Sequence, residues 1–533
     1  MTLRKLLALS TAALVAVGCE SGDINLQPTN VDNSTSTGGG GGGSTNPCAA
    51  YTDGGVTRQG SFDGTNCTYA PSFVNFASPL TVNLEIPFIT GTHIFQDTLA
   101  VGANVTSGPA PASGTGPVLT IAAGNTIAFL DSGDYLVINR GSQIVAQGSS
   151  TAPITFTGFT DAVLGSAGAE DVQLWGGMVI NGNGITNNCT DAQRASNDCH
   201  VVSEGQPVNY GGNDNADNSG VLRYVVVKHT GFEVAPDNEL NGITFNAVGS
   251  GTEVSHIQTY STYDDGIEFF GGAVNVDHFV ALYVKDDSID VSDGYVGTID
   301  TALVIQALAD GNRCIEADNI GDTRAGAGVP LDTAPLTNPT IRNMTCIIAN
   351  GDANTHDPAE GPTLRRGPQL QLAGSIIFGA YADDVGGNNE CFELAADGVT
   401  NNWAQTGATT ITDTLIACEL ATQGASGNLP NGDTESEWVL GANPSTNGAN
   451  YSVNVGNVIV QAPDLFANAN LSILDCFYTQ SAMTDENGAA ITFAGAGAVD
   501  RSDDWTANWT YGLHANNRGQ PLWFEAPGGP CVL

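Results

Sequence analysis

Residues 259–272 read TYSTYDDGIEFFGG, and residues 281–294 read ALYVKDDSIDVSDG. Both stretches place two adjacent carboxylates, a small residue, an isoleucine and a further acid in the same order, 22 residues apart. A weaker version, NRCIEADNI, follows at residues 312–320. A pattern that returns at a nearly constant interval indicates a repeated structural unit.

The spacing of the repeat predicts the fold. Its isoleucines recur at steps of 24, 22 and 26 residues, and short alternating segments with Gly, Asp and Asn turns lie between them. A period in the low twenties fits one coil of a right-handed parallel β-helix, in which stacked coils bury an aliphatic ladder. The signatures of leucine-rich repeats and of left-handed hexapeptide helices are absent. The predicted fold class is therefore all-β, a right-handed parallel β-helix. The ladder residues are Ile243, Ile267, Ile289 and Ile315.

The composition suits this fold and excludes some partners. The 533 residues include 67 glycines and only 7% aromatics, which is typical of many tight turns around small side chains. With 15 Lys and Arg against 56 Asp and Glu, the net charge is −41, so nucleic acid and anionic membrane surfaces are not expected partners. Such a surface suits either bound cations or solubility in a salty medium.

The N-terminus predicts export. Residues 1–19, MTLRKLLALSTAALVAVGC, carry two bases and then an apolar run that is too short for a comfortable transmembrane helix. Their end at Cys19 resembles the lipobox of bacterial lipoproteins, which implies a signal peptide that ends at a lipidated cysteine. Glu20 stands where an aspartate retains such proteins at the inner membrane. The resemblance therefore implies an outer-membrane or cell-surface lipoprotein, held to the membrane only by its lipid anchor.

A linker follows the lipidation site. Residues 20–47 are polar and rich in Gly, Ser, Thr and Asn, with too little apolar content to fold alone. We therefore expect a flexible tether between the lipid and the folded part of the chain.

The remaining ten cysteines would lie in an oxidising compartment after export. No pair has the C-x-x-C spacing of zinc sites, so disulfides are favoured over metal ligation. Pairing between sequential neighbours is the simplest arrangement, although the sequence does not prove it. The expected pairs are Cys48–Cys67, Cys189–Cys199, Cys314–Cys346, Cys391–Cys418 and Cys476–Cys531.

Several sequence segments outside the repeat also resemble known β-helix proteins. PVLTIAAGNTIAF at 117–129 and YLVINRGSQIVAQGSSTAPITFTG at 135–158 resemble the opening coils of secreted β-helix proteins, and QLWGGMVINGNG at 173–184 contains their WGG. With DDWTANWTYGL at 503–513, the likeness covers most of residues 80–513. The chain is thus similar to a poorly characterised group of bacterial surface lipoproteins with pectin-lyase-like folds. The resemblance implies a fold and no established reaction.

These features predict the organisation of the chain after the tether. An N-terminal disulfide loop and cap is expected at residues 48–79, the β-helix at residues 80–470, and a C-terminal cap at residues 471–533. A cap is needed because an open coil exposes an unpaired strand edge and its apolar ladder. The tryptophans expected to cover that end are Trp505, Trp509 and Trp523.

The repeated acids are candidate metal ligands. Stacked coils lie about 4.8 Å apart, so acids at equivalent positions repel one another unless a proton, a base or a metal intervenes. Oxygen-bearing acids on adjacent coils are the hard ligands that Ca²⁺ selects. Calcium is the one cofactor that the sequence suggests, against the alternative of ordinary turns that face water with Lys285 nearby. The predicted ligands are Asp264, Asp265, Asp286 and Asp287.

Acids also follow the repeated isoleucines and are expected to point out of the coil. If Leu364 takes the inward position in a later coil, Arg365 lies between Glu316 and Glu393. That arrangement predicts a structural ion ladder along the outside of the coils. The ladder acids are Glu268, Asp290, Glu316 and Glu393.

Two functions remain open. The favoured one is a non-catalytic surface protein whose acidic face binds a polysaccharide, a matrix component or another cell-surface partner, with no oligomeric state predicted. The alternative is a calcium-dependent polysaccharide lyase or glycoside hydrolase, in which a metal acidifies a uronate and a lysine removes its proton. The catalytic set in that alternative is Lys285, Asp286, Asp287 and Arg365.

Geometry separates the two functions. An enzyme should gather Lys285 or Arg365 with several acids in a walled cleft, whereas a binding protein should show a flat, evenly acidic face. His256 and His278 occupy equivalent positions and are expected to stack in the wall. Motifs for acyl transfer, zinc proteases and nucleotide binding are absent.

Lipidation is testable at one residue. The substitution Cys19→Ala removes the thiol that would carry the lipid, so the chain should leave the membrane fraction and appear in soluble extracts. Fractionation followed by immunoblotting measures this. An unchanged membrane fraction would contradict the anchor.

Overall fold

The structure is a computed structural model, and part of the chain is described. The predicted signal peptide with Cys19 and most of the predicted tether lie outside the described residues. Cys476, Cys531 and Trp523 lie outside them as well. The described residues are 46–235, 238–307, 311–349, 359–379, 390–418, 420–423, 429–441, 452–460, 483–484, 490–491 and 504–522.

One wall of the coil is a sheet of nine parallel strands, here called sheet A. Each strand pairs with the strand of the next coil, so the order in the sheet follows the order in the chain. Sheet A comprises Leu99–Val101, Tyr135–Ile138, Gly177–Asn181, Ile243–Asn246, Ile267–Phe270, Ile289–Ser292, Arg313–Asp318, Glu360–Arg365 and Glu393–Leu394.

The other walls form an 18-stranded sheet, here called sheet B. Its longest strands bend in the middle, so that one strand such as Gly220–Lys228 pairs with two shorter strands of the preceding coil. The bend lies at a residue with positive φ in each coil, for example His256 at 53° and His278 at 61°.

The strands of sheet B follow the chain from the N-terminal disulfide onward. They are Ser61–Phe62, Cys67–Tyr69, Leu84–Ile86, Thr92–Phe95, Val118–Ile121, Thr126–Phe129, Gln143–Gln147, Ile154–Gly158, Gly220–Lys228, Glu253–Tyr260, Asn275–Leu282, Thr298–Ile305, Thr340–Ile348, Gln371–Ala373, Ile376–Gly379, Thr410–Thr412, Leu415–Ala417 and Val458–Val460.

Small elements complete the described chain. The two-stranded hairpins are Ala50–Asp53 with Val56–Gln59, Val201–Val202 with Asn209–Tyr210, Glu233–Ala235 with Asn238–Glu239, and Met483–Thr484 with Ala490–Ile491. The helices are Phe159–Ala162, Asp191–Ala195, Asp322–Gly326, Thr400–Thr406 and Glu435–Val439. Among the residues described, no helix is long and apolar enough to cross a membrane.

The interior of the coil is the predicted aliphatic ladder. Ile243 pairs with Ile267, and Ile267 pairs with Ile289 in register, and all three are fully buried. Asp290 pairs with Glu316 in the next coil, which places Ile315 in the same column. The predicted all-β parallel β-helix is therefore confirmed, because the period of the sequence is the period of the coils.

Disulfides lock the coils. Four of the expected pairs are bonded in the structure, and the fifth lies outside the described residues. Three of the bonded pairs belong to the buried core, and two of these three join a residue in or beside a strand of sheet A to one in or beside a strand of sheet B. The bonded pairs are Cys48–Cys67, Cys189–Cys199, Cys314–Cys346 and Cys391–Cys418.

The described part of the C-terminal segment, residues 504–522, lies across the outer face of sheet B. Trp509 is buried there, with its ring centroid 5.9 Å from that of His256. The side chain of Gln258 exchanges two hydrogen bonds of 2.7 Å with the backbone of Tyr511. For these residues the expectation of a cap over the coil end is wrong. The apolar outer surface of the middle coils is what they cover instead.

The two histidines stack as expected. The rings of His256 and His278 lie 4.4 Å apart and are tilted by only 5°. Trp505 meets both rings edge-on. Burial lowers the pKa of His256 to about 4, with His278 as the next cause, so His256 is neutral in the wall at pH 7.

The second acid of each repeated pair links successive coils. Asp265 Oδ1 accepts a hydrogen bond of 3.1 Å from the backbone N–H of Asp287. Asp287 Oδ1 in turn accepts one of 2.9 Å from the N–H of Arg313. In the coil before, Asn241 Oδ1 accepts from the N–H of Asp265 at 3.1 Å. A side-chain oxygen at this position is therefore part of the architecture.

Two substitutions at Asp265 separate the effect of its hydrogen bond on stability from the effect of its charge. With chelator present at pH 7, Asp265→Ala should lose roughly 1–3 kcal/mol of unfolding free energy, because it leaves a buried N–H without an acceptor. Asp265→Asn keeps an acceptor and removes a charge, as Asn241 does naturally, so it should be at least as stable as the wild type. Chemical denaturation measures both. Equal losses in the two variants would contradict the ladder.

Candidate functional site

The outer face of sheet A carries a walled cleft of about 570 Å³. Its floor consists of outward side chains of the sheet and of the turns that precede its strands. One wall includes the hairpin Val201–Val202 with Asn209–Tyr210, and the other includes the start of the helix Asp322–Gly326. A walled cleft is the geometry expected of the enzyme alternative, and the flat face expected of a purely binding surface is not observed here.

The first wall is held rigidly. The buried guanidinium of Arg140, from an earlier coil, donates to the carbonyl oxygens of Cys199 at 2.8 Å and Gly211 at 2.6 Å. The disulfide Cys189–Cys199 closes the same loop. The short helix inside it begins with a capping box at Thr190, which satisfies its first N–H groups. Val201 and Glu204, which follow the loop, are thereby fixed over the floor.

Acids dominate the lining. Twelve carboxyl side chains and two arginines, Arg324 and Arg365, face the cleft. This imbalance means that the cleft holds protons or cations beyond its own bases. The acids are Glu204, Glu239, Asp264, Asp265, Glu268, Asp286, Asp287, Asp290, Asp293, Glu316, Asp318 and Asp322.

The predicted ligand quartet is divided between two clusters. Asp264, Asp265 and Asp286 bring carboxylate oxygens within 4.8 Å of one another. Asp287 instead groups with Asp290 and Glu316 at the same limit. A third group, comprising Asp265, Glu268 and Asp290, overlaps both.

The ladder acids were not predicted as ligands. Their position after each isoleucine predicted an ion ladder. In the structure, however, Glu268, Asp290 and Glu316 lie beside the second acids of the repeated pairs. Asp290 is the clearest case, since its Oδ1 is buried and has no hydrogen-bond partner. Glu268 accepts a hydrogen bond from the side chain of Asn241. The turn before each strand brings the two columns together, and this turn geometry is not readable from spacing alone.

Burial and mutual repulsion raise the pKa values of these acids. Burial is the largest cause for Asp264, Asp287 and Asp290, whose pKa values lie well above the usual range. The next cause is a neighbouring carboxylate, Asp286 for the first and Glu316 for the other two. Two like charges 4 Å apart repel by about 4 kcal/mol at an effective dielectric constant of about 20. The cleft therefore favours protonation or a bound cation.

Other acids of the lining have pKa values near neutrality. Burial raises the pKa of Glu204 to about 7, and a hydrogen bond that Glu204 accepts from Glu268 limits the rise. Burial likewise raises the pKa of Asp318 to about 8 and that of Asp293 to about 6, and Arg324 opposes the latter shift. At neutral pH the cleft thus contains both protonated and ionised carboxyls.

The arginines lie at the C-terminal side of the cleft, and each is engaged. Arg324 pairs with Asp293 at 2.9 Å. Arg365 contacts Glu316 and also pairs with Asp318 at 3.3 Å.

The predicted position of Arg365 needs a correction. The register places Thr363 between Glu316 and Glu393, and Arg365 opposite Asp318. The expectation had aligned Leu364 with the repeated isoleucines, whereas Pro362 occupies that position. Arg365 contacts Glu316 from two residues further along the strand than Thr363. An ion pair between Arg365 and Glu316 is therefore present, in a different register.

Lys285 does not join the cleft, which contradicts its predicted role. Its Nζ pairs with Glu170 at 3.0 Å, and Glu170 also accepts a hydrogen bond from Gln520 in the C-terminal segment. Adjacent residues of a turn point in different directions, so Asp286 lines the cleft while Lys285 does not. Of the alternative catalytic set, Asp286, Asp287 and Arg365 are brought together without the lysine.

Comparison with known proteins agrees with the coil. Residues 111–510 match the family model described as a pectate-lyase like beta helix domain. This range contains the whole cleft lining. No curated protein and no solved structure matches the chain.

The raised pKa values predict a pH-dependent stability. In chelator, the melting temperature should fall between pH 5 and pH 8. A carboxyl whose folded pKa is raised binds more protons folded than unfolded in this window, so its contribution is present at low pH and lost as the pH rises through the folded pKa. Glu204, at about 7, and Asp318, at about 8, set the upper part of the window.

Calorimetry at constant ionic strength tests this dependence. Glu204→Gln combined with Asp318→Asn should flatten the fall, whereas Glu85→Gln, at an exposed position, should leave it unchanged. Stability that increases from pH 5 to pH 8 in chelator would show that the cleft acids are not destabilised by ionisation.

Proposed function

The chain belongs to the pectate-lyase-like β-helix domain family, and we propose that its acidic cleft binds Ca²⁺ and, through it, a polysaccharide that carries carboxylates. The observation that carries this proposal is the convergence of cleft carboxylates, with one buried oxygen of Asp290 left without a hydrogen-bond partner. The favoured prediction was a non-catalytic protein that binds a glycan through an acidic face. The proposal keeps glycan binding and assigns it to the cleft.

Calcium fits the donor set. All candidate donors are carboxylate oxygens, which are hard ligands, and they come from strands and turns of adjacent coils. Ca²⁺ accepts six to eight oxygens in irregular arrangements, whereas Mg²⁺ demands a near-ideal octahedron and gives up water reluctantly. The central donors are Asp264, Asp265, Asp286, Glu268 and Asp290.

An anionic sugar needs the cation. The two arginines of the cleft are already paired with Asp293, Glu316 and Asp318, so they offer little charge to a uronate. Without a metal, the surrounding acids repel such a ligand. A calcium ion held by the acids reverses the local charge and bridges protein and sugar carboxylates.

The cleft also offers apolar surface to a sugar ring. Val202 on the wall is 64% exposed, and Phe270 lies on the floor. Carbon-bound hydrogens on one face of a pyranose make contacts of this kind while the hydroxyls bond to acids. Sites of this type combine an apolar lining with a few fixed polar groups.

Export and lipid anchoring are part of the same proposal. The support is the lipobox-like end at Cys19 and the tether that follows it. A protein held outside the cell by its lipid would meet glycans directly, and a polysaccharide of the surroundings is then the natural partner.

Glycoside hydrolysis is a second candidate. It is favoured by carboxyl groups such as Glu204, whose pKa is raised to about 7 beside ionised neighbours. Hydrolysis of a glycosidic bond needs one protonated and one ionised carboxyl across the bond. The lyase version with Lys285 as base has no such support, since Lys285 pairs with Glu170.

Binding assays with and without chelator test the main proposal. The purified chain should bind polygalacturonate at least tenfold more tightly in millimolar Ca²⁺ than in chelator, and should bind neutral dextran weakly in both. Asp264→Asn combined with Asp286→Asn should lose most of the calcium effect, because it removes two of three ligands of one cluster. Calcium should also raise the melting temperature, by linkage worth roughly 2.7 kcal/mol at a hundredfold excess over Kd.

The matched control is Asp332→Asn at an exposed position outside the cleft, which should bind like the wild type. Equal binding with calcium and with chelator would overturn the proposal. New reducing ends in the same incubations, abolished by Glu204→Gln, would establish hydrolysis instead of simple binding.

A further inference from the structure

One column of outward-facing residues on sheet A enters the cleft only part of the way along the coil axis. Successive members of the column pair in register from coil to coil. The later members line the cleft, whereas the earlier members are buried and do not line it. In chain order the column comprises Val137, Val179, Thr244, Glu268, Asp290 and Glu316.

Apolar packing covers the first part of this column. Val208, which directly precedes the second strand of the hairpin in the first wall, packs in one buried cluster with Val137 and Val179. Leu240 belongs to the same cluster. In the following coil Thr244 is only 3% exposed. The outer face of these coils is therefore filled by the protein itself.

The first wall contacts the floor where the open part of the column begins. Ser203 Oγ accepts a hydrogen bond of 2.8 Å from the side chain of Asn246. The next residue, Glu204, accepts a hydrogen bond from Glu268. A sugar chain that lies along the coil axis therefore meets the wall at Glu268.

The two walls are joined on the side of the cleft where the strands end. Arg324, in the helix of the second wall, donates to the side-chain oxygen of Asn187 at 2.6 Å and to its carbonyl oxygen at 3.0 Å. Arg324 also pairs at 2.9 Å with Asp293, the residue after the strand Ile289–Ser292. Asn188, from the loop that carries the first wall, contacts the same aspartate. A sugar chain that lies across the strands therefore meets this junction.

The open floor is also short. The lining residues on sheet A lie on four consecutive strands, from Ile267–Phe270 to Glu360–Arg365. These strands are separated by three spacings of about 4.8 Å, so the floor extends roughly 14 Å along the axis. A floor of this length holds a few sugar residues, and a stiff chain cannot turn back within it.

We propose that the cleft binds the end of a carboxylate-bearing polysaccharide, or a free oligosaccharide, and excludes internal segments of the chain. Both directions along the floor are blocked at one side, so a sugar chain that occupies the cleft has to terminate inside it. Asp264 and Asp265 precede the first strand of the open floor. The carboxylate of the terminal sugar is thus the one that meets the cation. This inference rests on the proposed function, and it adds which part of the glycan is recognised.

A series of oligogalacturonates from the dimer to the octamer tests the inference by calorimetry with the wild-type chain in millimolar Ca²⁺. The affinity should rise at least tenfold from the dimer to a plateau and then stay within twofold up to the octamer. One octamer should bind one protein chain. A groove open at both ends would instead gain affinity with each added sugar, because each added sugar offers another binding register.

Blocked oligosaccharides test the same point without any change to the protein. An octamer that carries bulky groups at both ends should bind at least tenfold more weakly than the free octamer. Of the two octamers blocked at one end only, the one whose free end enters the cleft should bind like the unblocked sugar.

The outcomes separate this inference from the proposed function. Calcium-dependent binding that ignores blocked ends, or that places two protein chains on one octamer, would overturn the inference and leave the proposed function standing. Absence of calcium-dependent binding at every length would overturn both.

Discussion

Stacking of coils in register is the constraint on which the structure depends. Each parallel pair places the same position of one coil directly over that of the next, as Ile243, Ile267 and Ile289 show. For aliphatic side chains this arrangement is favourable, since each ladder residue buries its surface against the next. For acids it is costly, because equivalent carboxylates then lie within a few ångströms of one another. The interior and the cleft are thus two results of one geometry.

The two acids of each repeated pair have different roles, and this difference reduces the cost of stacking them. The second acid, as at Asp265, uses one oxygen to accept from the backbone of the next coil, so it is needed for the stack itself. The first acid, as at Asp264, faces the cleft and adds charge without such a bond among the described contacts. In the later coils Arg365 and Arg324 take up part of the charge, whereas the coils around Asp264 contribute no arginine to the lining. This gradient along the coil axis leaves the acids around Asp264 without a lining arginine, and that end of the cleft is where the proposed cation would bind.

The coil was predictable because its signal is local and periodic. The isoleucine spacing and the stacked histidines follow from coil length, and the pairing of Cys189 with Cys199 follows from their separation of only 10 residues. Side-chain direction within turns was not predictable, so Lys285 was placed beside the acids when it pairs with Glu170. The predicted register beyond the clear repeats was wrong, because nothing in the sequence marks Pro362 rather than Leu364 as the residue opposite Ile315. The outer position of residues 504–522 depends on contacts about 250 residues away in sequence, as between Gln258 and Tyr511.

The two outer faces of the coil have different roles for a physical reason. Sheet B presents apolar residues such as Tyr260 and Leu303, and the C-terminal segment buries them with Trp509. The first coils of sheet A present Ala100, Val137 and Val179 under Val208 and Leu240. The later coils present carboxylates, which an apolar segment cannot cover without desolvating charge. Their polar cover consists instead of the loop fixed by Arg140 and, further along, the helix that begins at Glu435. Acids placed under polar covers retain access to cations, and this is why the candidate chemistry of the molecule gathers on sheet A.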